Sequence, residues 1–138
     1  MREEEVDALV RYRLEQAHAA LADAQFLIEG HRTPQSIVNR AYYAMFYAAL
    51  ALLQKIGKVP TKRVGAIALF DTEFVKHGIF GHELSRDFHK AFELRQMSDY
   101  RVLESPSRER AEETCEKAAG FVEAVQRHLF GPPACERE

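Results

Sequence analysis

The stretch Val38-Asn-Arg-Ala-Tyr-Tyr-Ala-Met-Phe-Tyr-Ala-Ala-Leu-Ala-Leu-Leu53 decides the fold of this chain. At helical spacing it carries apolar side chains on two adjoining faces, so a helix through it is apolar around most of its circumference. Such a helix is predicted to be the most buried one. Thr33-Pro34, just ahead of it, has the pattern of a helix N-cap followed by proline at the first helical position. The two faces are Val38, Ala41, Met45, Ala48, Leu52 and Ile56, and Tyr42, Phe46, Ala49 and Leu53.

Helical periodicity marks four further segments, which are separated by glycine and proline. No segment alternates apolar and polar residues for long enough to be a strand. Long helices joined by short links pack antiparallel, so the sequence predicts an all-α fold, an up-and-down four-helix bundle with one extra short helix. We expect the bundle to span residues 1–130, and residues 131–138 to form a disordered C-terminal tail. The further segments are a helix of about 25 residues ending at Gly30, a short helix at about 62–77, a helix that follows Gly81 and bears Arg95, and a last helix from Ser105-Pro106 to Gly131.

Composition and charge limit the classes of protein. The chain has 138 residues and a formal net charge of −2, which argues against a strongly cationic nucleic-acid-binding protein but leaves room for a local basic cleft. No apolar run approaches the roughly 20 residues of a membrane helix. The N-terminus is acidic and polar, unlike a signal peptide. Cys115 and Cys135 resemble unpaired thiols of a reducing compartment, which predicts a cytoplasmic protein.

The segment Arg95-Gln-Met-Ser-Asp-Tyr100 places charge where apolar side chains are expected. Arg95 takes the next position on the apolar stripe of its helix, and Asp99 lies one turn beyond it. One interpretation is an ion pair within the helix, worth a few tenths of a kcal/mol. The other is an anion-binding arginine that Asp99 orients, because the guanidinium group binds two phosphate oxygens at once. The stripe is Leu84, Phe88, Ala91 and Phe92.

Arg40, Tyr43 and Tyr47 fall on one side of the central helix, at steps of three and four residues. They fit the amphipathic rim of a buried helix, with the tyrosine hydroxyls bonded locally. The same residue types serve as anchors in a dimer interface. They also make a surface that stacks bases and holds phosphate.

Several enzyme and metal-site classes lack their motifs. His82 and His89 stand seven residues apart, about two helical turns or roughly 10 Å along the axis, which is too far to share one metal ion easily. The sequence has no glycine-rich phosphate loop and no serine nucleophile elbow. We therefore predict no metal site and no cofactor.

Five segments together resemble the HEPN-domain family. The resemblance extends in the right order over about residues 10–130. It rests on Asn39–Ala49 as the second-helix signature, on Val64–Phe70 and Phe74–Gly78 after it, on Arg95–Tyr100, and on residues 118–122 in the closing helix.

The resemblance implies a small helical bundle that forms a homodimer. Many members of the family are metal-independent ribonucleases, and several are toxins encoded beside a nucleotidyltransferase that acts as the antitoxin. In the ribonucleases, a histidine follows the arginine at the position of Arg95 by four to six residues, and the two motifs meet in a cleft at the dimer seam. Here Asp99 and Tyr100 occupy those positions. Histidine exchanges protons near neutral pH, whereas an aspartate beside an arginine has a lowered pKa, so anion binding is favoured over RNA cleavage.

The resemblance also implies roles for individual residues. It places Arg95 at the phosphate, and with Asp99 as the residue that orients it, the two are the candidate catalytic pair. From their residue types and spacing, Arg40 and Tyr43 are expected to bind RNA or nucleotide phosphate in the same cleft as Arg95 if the second and fourth helices are neighbours. In some toxin pairs the antitoxin adds AMP to a tyrosine beside the active motif, and Tyr100 is the candidate here. Two alternatives stay open: a non-catalytic helical dimer that binds a nucleotide or a protein, and a structural dimer in which Arg95 and Asp99 lock a helix end.

Overall fold

A computed structural model describes residues 2–100 and 105–131, except for the side chains of residues 98–100. These ranges contain helices and connecting turns and no strand, so the predicted all-α bundle is confirmed. None of the described helices combines the length and the apolar character needed to cross a bilayer. Residues 132–138 of the predicted tail lie outside the described residues. The helices are α1 (Glu3–Glu29), α2 (Pro34–Lys55), α3 (Arg63–Phe70) with a π-helical continuation (Asp71–Val75), α4 (His82–Tyr100) and α5 (Arg108–Phe130).

The central helix is α2, as its apolar circumference predicts. Twelve of its 22 residues are buried, more than in any other described helix, and it packs against α1, α3, α4 and α5. The most extensive contact joins α2 to α1, and both helices bury small side chains, which allow helix backbones to pack closely. These buried small residues are Ala17, Ala20 and Ala24 of α1 and Ala41, Ala44 and Ala48 of α2.

Contacts at the helix ends fix the directions of the long helices. Lys55, the last residue of α2, pairs with Asp7 near the start of α1 at 2.8 Å. Arg108, the first residue of α5, donates a hydrogen bond to the carbonyl of Ile28 near the end of α1. Therefore α1 runs antiparallel to both α2 and α5, which agrees with the up-and-down prediction.

The sequence predicts the N-cap of α2 correctly and misplaces the N-cap of α5. Thr33 caps α2 as predicted, and its side chain accepts a hydrogen bond from the backbone N–H of Ser36. The prediction that α5 starts at Ser105-Pro106 is wrong by two residues. Ser107 is the N-cap and accepts from the backbone N–H of Arg110, because Ser105 instead bonds the side chain of Gln35 across to α2.

The predicted helix at about 62–77 is present, but its second half is π-helical. The backbone N–H of Lys76 bonds the carbonyl of Asp71 five residues earlier, at 2.8 Å. The wider turn keeps Phe70 and Phe74 buried. It also brings the Asp71 carboxylate to α4, where it accepts hydrogen bonds from the Ser85 hydroxyl at 2.6 Å and the His89 ring at 2.7 Å.

Candidate anion-binding site

Arg95 lies against α2, where the stripe of α4 meets the central helix. Phe88 and Ala91, which precede it on the stripe, are buried, and Arg95 itself is partly buried. Its guanidinium carbon lies 5.5 Å from the centre of the Tyr42 ring and 5.3 Å from the centre of the Tyr43 ring. The arginine thus points toward the bundle, in the direction that its helical position predicts.

Arg40 reaches the same tyrosine from within α2. Its guanidinium carbon lies 5.1 Å from the centre of the Tyr43 ring, within the range of a cation–π contact. The Asn39 side-chain oxygen accepts hydrogen bonds from Arg40 Nε at 3.2 Å and Nη2 at 3.1 Å. Tyr47, the third residue of the predicted set, packs against Tyr43 with ring centres 5.8 Å apart.

Arg63 is a third arginine at this tyrosine, and sequence reasoning missed it. It is the first residue of α3, donates a hydrogen bond to the Tyr43 hydroxyl, and places its guanidinium carbon 5.4 Å from the ring centre. Arg63 and Tyr43 lie on different helices, so the spacing of residues within one helix does not predict their contact. One signal was available: Lys62 and Arg63 put two cations at a helix N-terminus, where acidic residues are the more stabilising choice.

The partners of Arg40 and Arg63 are neutral. In the part of the chain whose side chains are described, neither guanidinium forms an ion pair; one is held by an amide and the other by a hydroxyl. With Arg95, three positive charges converge on one ring. We refer to Arg40, Arg63, Arg95, Tyr42 and Tyr43 as the arginine–tyrosine cluster. Like charges gathered in this way repel one another and attract an anion.

Within the cluster, Tyr42 supplies a buried hydroxyl group. Its side chain is fully buried, and its hydroxyl oxygen has no hydrogen-bond partner among the described residues. Burial raises the pKa of Tyr42 above the usual value of a tyrosine, and the charges of Arg95 and Arg63 oppose this in part. The hydroxyl is therefore neutral at ordinary pH and retains its proton for donation.

The predicted partner of Arg95, Asp99, and the predicted modification site, Tyr100, belong to the last turn of α4, and their side chains lie outside the described residues. The geometry brings Arg40, Tyr43 and Arg95 close together and adds Arg63 and Tyr42, while the binding role of these residues stays a prediction.

Three histidines have partners in other regions of the bundle. His18 bonds Gln126 at 3.1 Å, and His89 pairs with Asp71. His128 packs edge-on against Phe80, with ring centres 5.4 Å apart. All six histidines, including His31, His77 and His82, are exposed. Among the described residues, no group of three acidic, histidine or cysteine side chains is arranged to hold a metal ion.

A separate groove of about 590 Å³ runs between α4 and α5. Charges of both signs line it, including Arg86, Lys90, Glu93 and Glu113, and none of the three cluster arginines does. Burial raises the pKa of Asp87 in this groove. Because carboxylates and cations are mixed along it, the groove does not favour an anionic ligand as the cluster does.

The fold and the cluster define a small helical bundle with a basic, partly buried surface on its central helix. The sequence matches the HEPN domain over residues 10–128. It is 36% identical over 123 residues to a Thermotoga maritima protein named "UPF0332 protein", covering 89% of this chain and 92% of that one. It is 34% identical over 126 residues to a Methanocaldococcus jannaschii protein named "Putative toxin MJ0605", covering 91% and 90%. This chain belongs to the HEPN-domain family.

Proposed function

We propose that this chain is a toxin-like HEPN protein that binds the phosphate groups of RNA or of a nucleotide at the arginine–tyrosine cluster. The observation that carries the proposal is the neutral environment of Arg40 and Arg63, whose charges no described carboxylate balances. An anion would supply the missing charge. The name of the Methanocaldococcus jannaschii relative supports the toxin-like part.

Within this proposal Arg95 holds a phosphate oxygen pair, and Asp99 orients Arg95. Arg40 and Tyr43 line the same surface, which is consistent with the contact between α2 and α4. Two copies of the chain form a homodimer with the clusters at their seam. The partner protein is a nucleotidyltransferase that acts as the antitoxin.

The positions of the histidines favour binding over cleavage. Metal-independent RNA cleavage needs a group that exchanges protons near neutral pH, and histidine is suited to it. His18, His89 and His128 contact Gln126, Asp71 and the Phe80 ring, which are not residues of the arginine–tyrosine cluster. A ribonuclease assay in the presence of a chelator tests this point, and an intact RNA substrate is the expected result.

RNA binding itself is tested with labelled single-stranded RNA at two salt concentrations. The wild-type affinity is expected to fall as salt rises, because phosphate contacts release counterions. Arg95→Ala should abolish binding and leave the helical circular dichroism unchanged. Arg11→Gln is the matched control, since Arg11 also lies over an aromatic ring, that of Phe130, but on the α1–α5 side of the bundle. Equal affinity of wild type and Arg95→Ala would remove Arg95 from the site.

The dimer and the partner need separate experiments. Light scattering after size exclusion is expected to give twice the mass of one chain. The mass of a single chain would contradict the proposed homodimer.

The partner is tested by co-expressing this chain with a neighbouring reading frame that carries a nucleotidyltransferase signature. The Tyr100 hydroxyl is expected to attack the α-phosphate of ATP and release pyrophosphate, and mass spectrometry would detect the AMP adduct. The same adduct on Tyr100→Phe would exclude Tyr100.

A further inference from the structure

We propose that Arg63 is an anion-binding residue and that the cluster recognises two adjacent phosphates without reading a base. This inference rests on the proposed anion-binding function and specifies its ligand class. The shared chemistry is a pair of linked phosphates, which either a diphosphate group or the backbone of RNA presents.

The first argument concerns charge. Arg40 is held by the Asn39 amide and Arg63 by the Tyr43 hydroxyl, so neither hydrogen-bond partner neutralises a guanidinium. Together with Arg95, three guanidinium carbons lie 5.1–5.4 Å from the centre of one ring. Arg40 and Arg63 thus carry two positive charges that no described carboxylate balances, and the single negative charge of one phosphodiester would balance only one of them. Two adjacent phosphates match both charges.

The second argument concerns the direction of approach. Arg40 belongs to α2, Arg63 to the start of α3 and Arg95 to α4, so the three side chains come from three helices. Guanidinium groups that approach from separate backbones can hold different phosphates, and each planar group can bind two oxygens. A ligand that spans the Tyr43 ring can therefore engage all three.

The third argument concerns the aromatic faces. Base stacking needs an open ring face. Tyr42 is fully buried, and Tyr43 is surrounded by the three guanidinium groups and by other rings: Tyr42 at 5.2 Å, Tyr47 at 5.8 Å and Phe46 at 6.0 Å. Tyr43 is only partly exposed, and these neighbours compete with a base for the faces of its ring. The expectation from the sequence that tyrosines here stack bases is thus not favoured by the packing.

Calorimetry with small ligands tests the ligand class. The probes are pyrophosphate, inorganic phosphate, ADP and adenosine. Pyrophosphate and ADP are expected to bind with affinities within about threefold of each other, and phosphate at least about tenfold more weakly, since it forms fewer charge-assisted hydrogen bonds. Adenosine should not bind. Binding of adenosine, or a preference of more than about tenfold for ADP over pyrophosphate, would show that the base is read and would overturn the inference.

RNA homopolymers separate the two sources of the phosphate pair. Oligo-U and oligo-A of equal length are expected to bind within about threefold of each other at one salt concentration. Tighter binding of RNA than of pyrophosphate assigns the site to the nucleic-acid backbone, and the reverse assigns it to a diphosphate group. Strong preference for one base sequence overturns this inference but leaves the proposed function standing. Failure of every phosphate compound and every RNA to bind overturns both.

The role of Arg63 is tested by Arg63→Gln, with Arg11→Gln as the control. We expect Arg63→Gln to weaken pyrophosphate binding about tenfold, the effect of losing a charge-assisted contact, while Arg11→Gln binds like the wild type. Circular dichroism and the melting temperature verify that both variants fold. If Arg63→Gln binds pyrophosphate as tightly as the wild type, Arg63 lies outside the site.

Discussion

The cations on the outer faces of the bundle and the cations around Tyr43 have different kinds of partner. Most of the outer cations that contact another side chain pair with a carboxylate, and these pairs are largely exposed, so each contributes little to stability. Arg40 and Arg63 instead contact an amide and a hydroxyl. The outer cations are thus neutralised by a neighbouring carboxylate, whereas Arg40 and Arg63 keep a positive charge that an anion of the proposed kind would balance. The outer pairs are Arg2–Glu5, Lys55–Asp7, Lys58–Glu73, Arg108–Glu112 and Arg127–Glu123.

The largest effect is expected beneath the cluster, where aromatic packing supports it. Phe88 is fully buried and its ring centre lies 5.2 Å from that of Phe121 and 5.8 Å from that of Phe70. Phe88→Ala should lower the free energy of unfolding by about 4 kcal/mol, because it leaves a cavity in the core. Urea unfolding followed by circular dichroism measures this. Phe26→Ala is the control: Phe26 is 73% exposed, so a change below about 0.5 kcal/mol is expected. Equal losses in both variants would contradict the core position of Phe88.

Arg40→Gln separates ligand binding from stability. It should weaken RNA binding about tenfold, since one charge-assisted contact is lost. Its free energy of unfolding should stay within about 0.5 kcal/mol of the wild type, because relief of repulsion from Arg63 and Arg95 offsets the lost cation–π contact. Binding assays and urea unfolding on the same preparation check both values. A large loss of stability with normal binding would make Arg40 a structural residue and would remove the contrast with the outer cations.

Tyr42→Phe tests whether the buried hydroxyl of Tyr42 lowers the stability of the fold. Removing a hydroxyl that has no described partner should raise the free energy of unfolding at neutral pH by about 1 kcal/mol. The pKa of Tyr42 is raised in the folded protein, so the unfolded chain ionises first as the pH rises past 10.0, and the wild type loses stability there relative to the variant. Urea unfolding at neutral pH and at a pH above 10.0 measures the difference. A variant that is less stable than the wild type at neutral pH would show that the hydroxyl has a partner.

Lys58→Gln is expected to have the smallest effect. Lys58 pairs with Glu73 at 2.7 Å, but its side chain is about half exposed. Loss of such a pair should lower the free energy of unfolding by no more than about 1 kcal/mol and should leave RNA binding unchanged. Added salt should reduce the difference from the wild type further. If Lys58→Gln weakened RNA binding as much as Arg40→Gln, the outer cations would belong to the binding surface as well.

Much of the fold follows from local pattern, whereas the site depends on tertiary contacts. The apolar circumference of α2 predicts its central place, and the position of Arg95 on an apolar stripe predicts that it points toward α2. Those features repeat every three or four residues and need only one helix. Helical periodicity does not predict the contact of Arg63, because its partner Tyr43 lies 20 residues away on another helix. The position of the α5 N-cap at Ser107 depends in the same way on the contact between Ser105 and Gln35.

The π-helical turn at Asp71–Val75 has a consequence for the geometry of the cluster. A π-helical hydrogen bond joins residues five apart, one more than in an α-helix. Each residue of a helix corresponds to about 100° of rotation about the helix axis. Asp71, at the start of the π-helical turn, is tied to α4 through Ser85 and His89. The rotational setting of α3 relative to α4 is thus fixed by this irregularity. A single-residue deletion there would turn Arg63 away from Tyr43, although the deletion lies eight or more residues from the arginine it displaces.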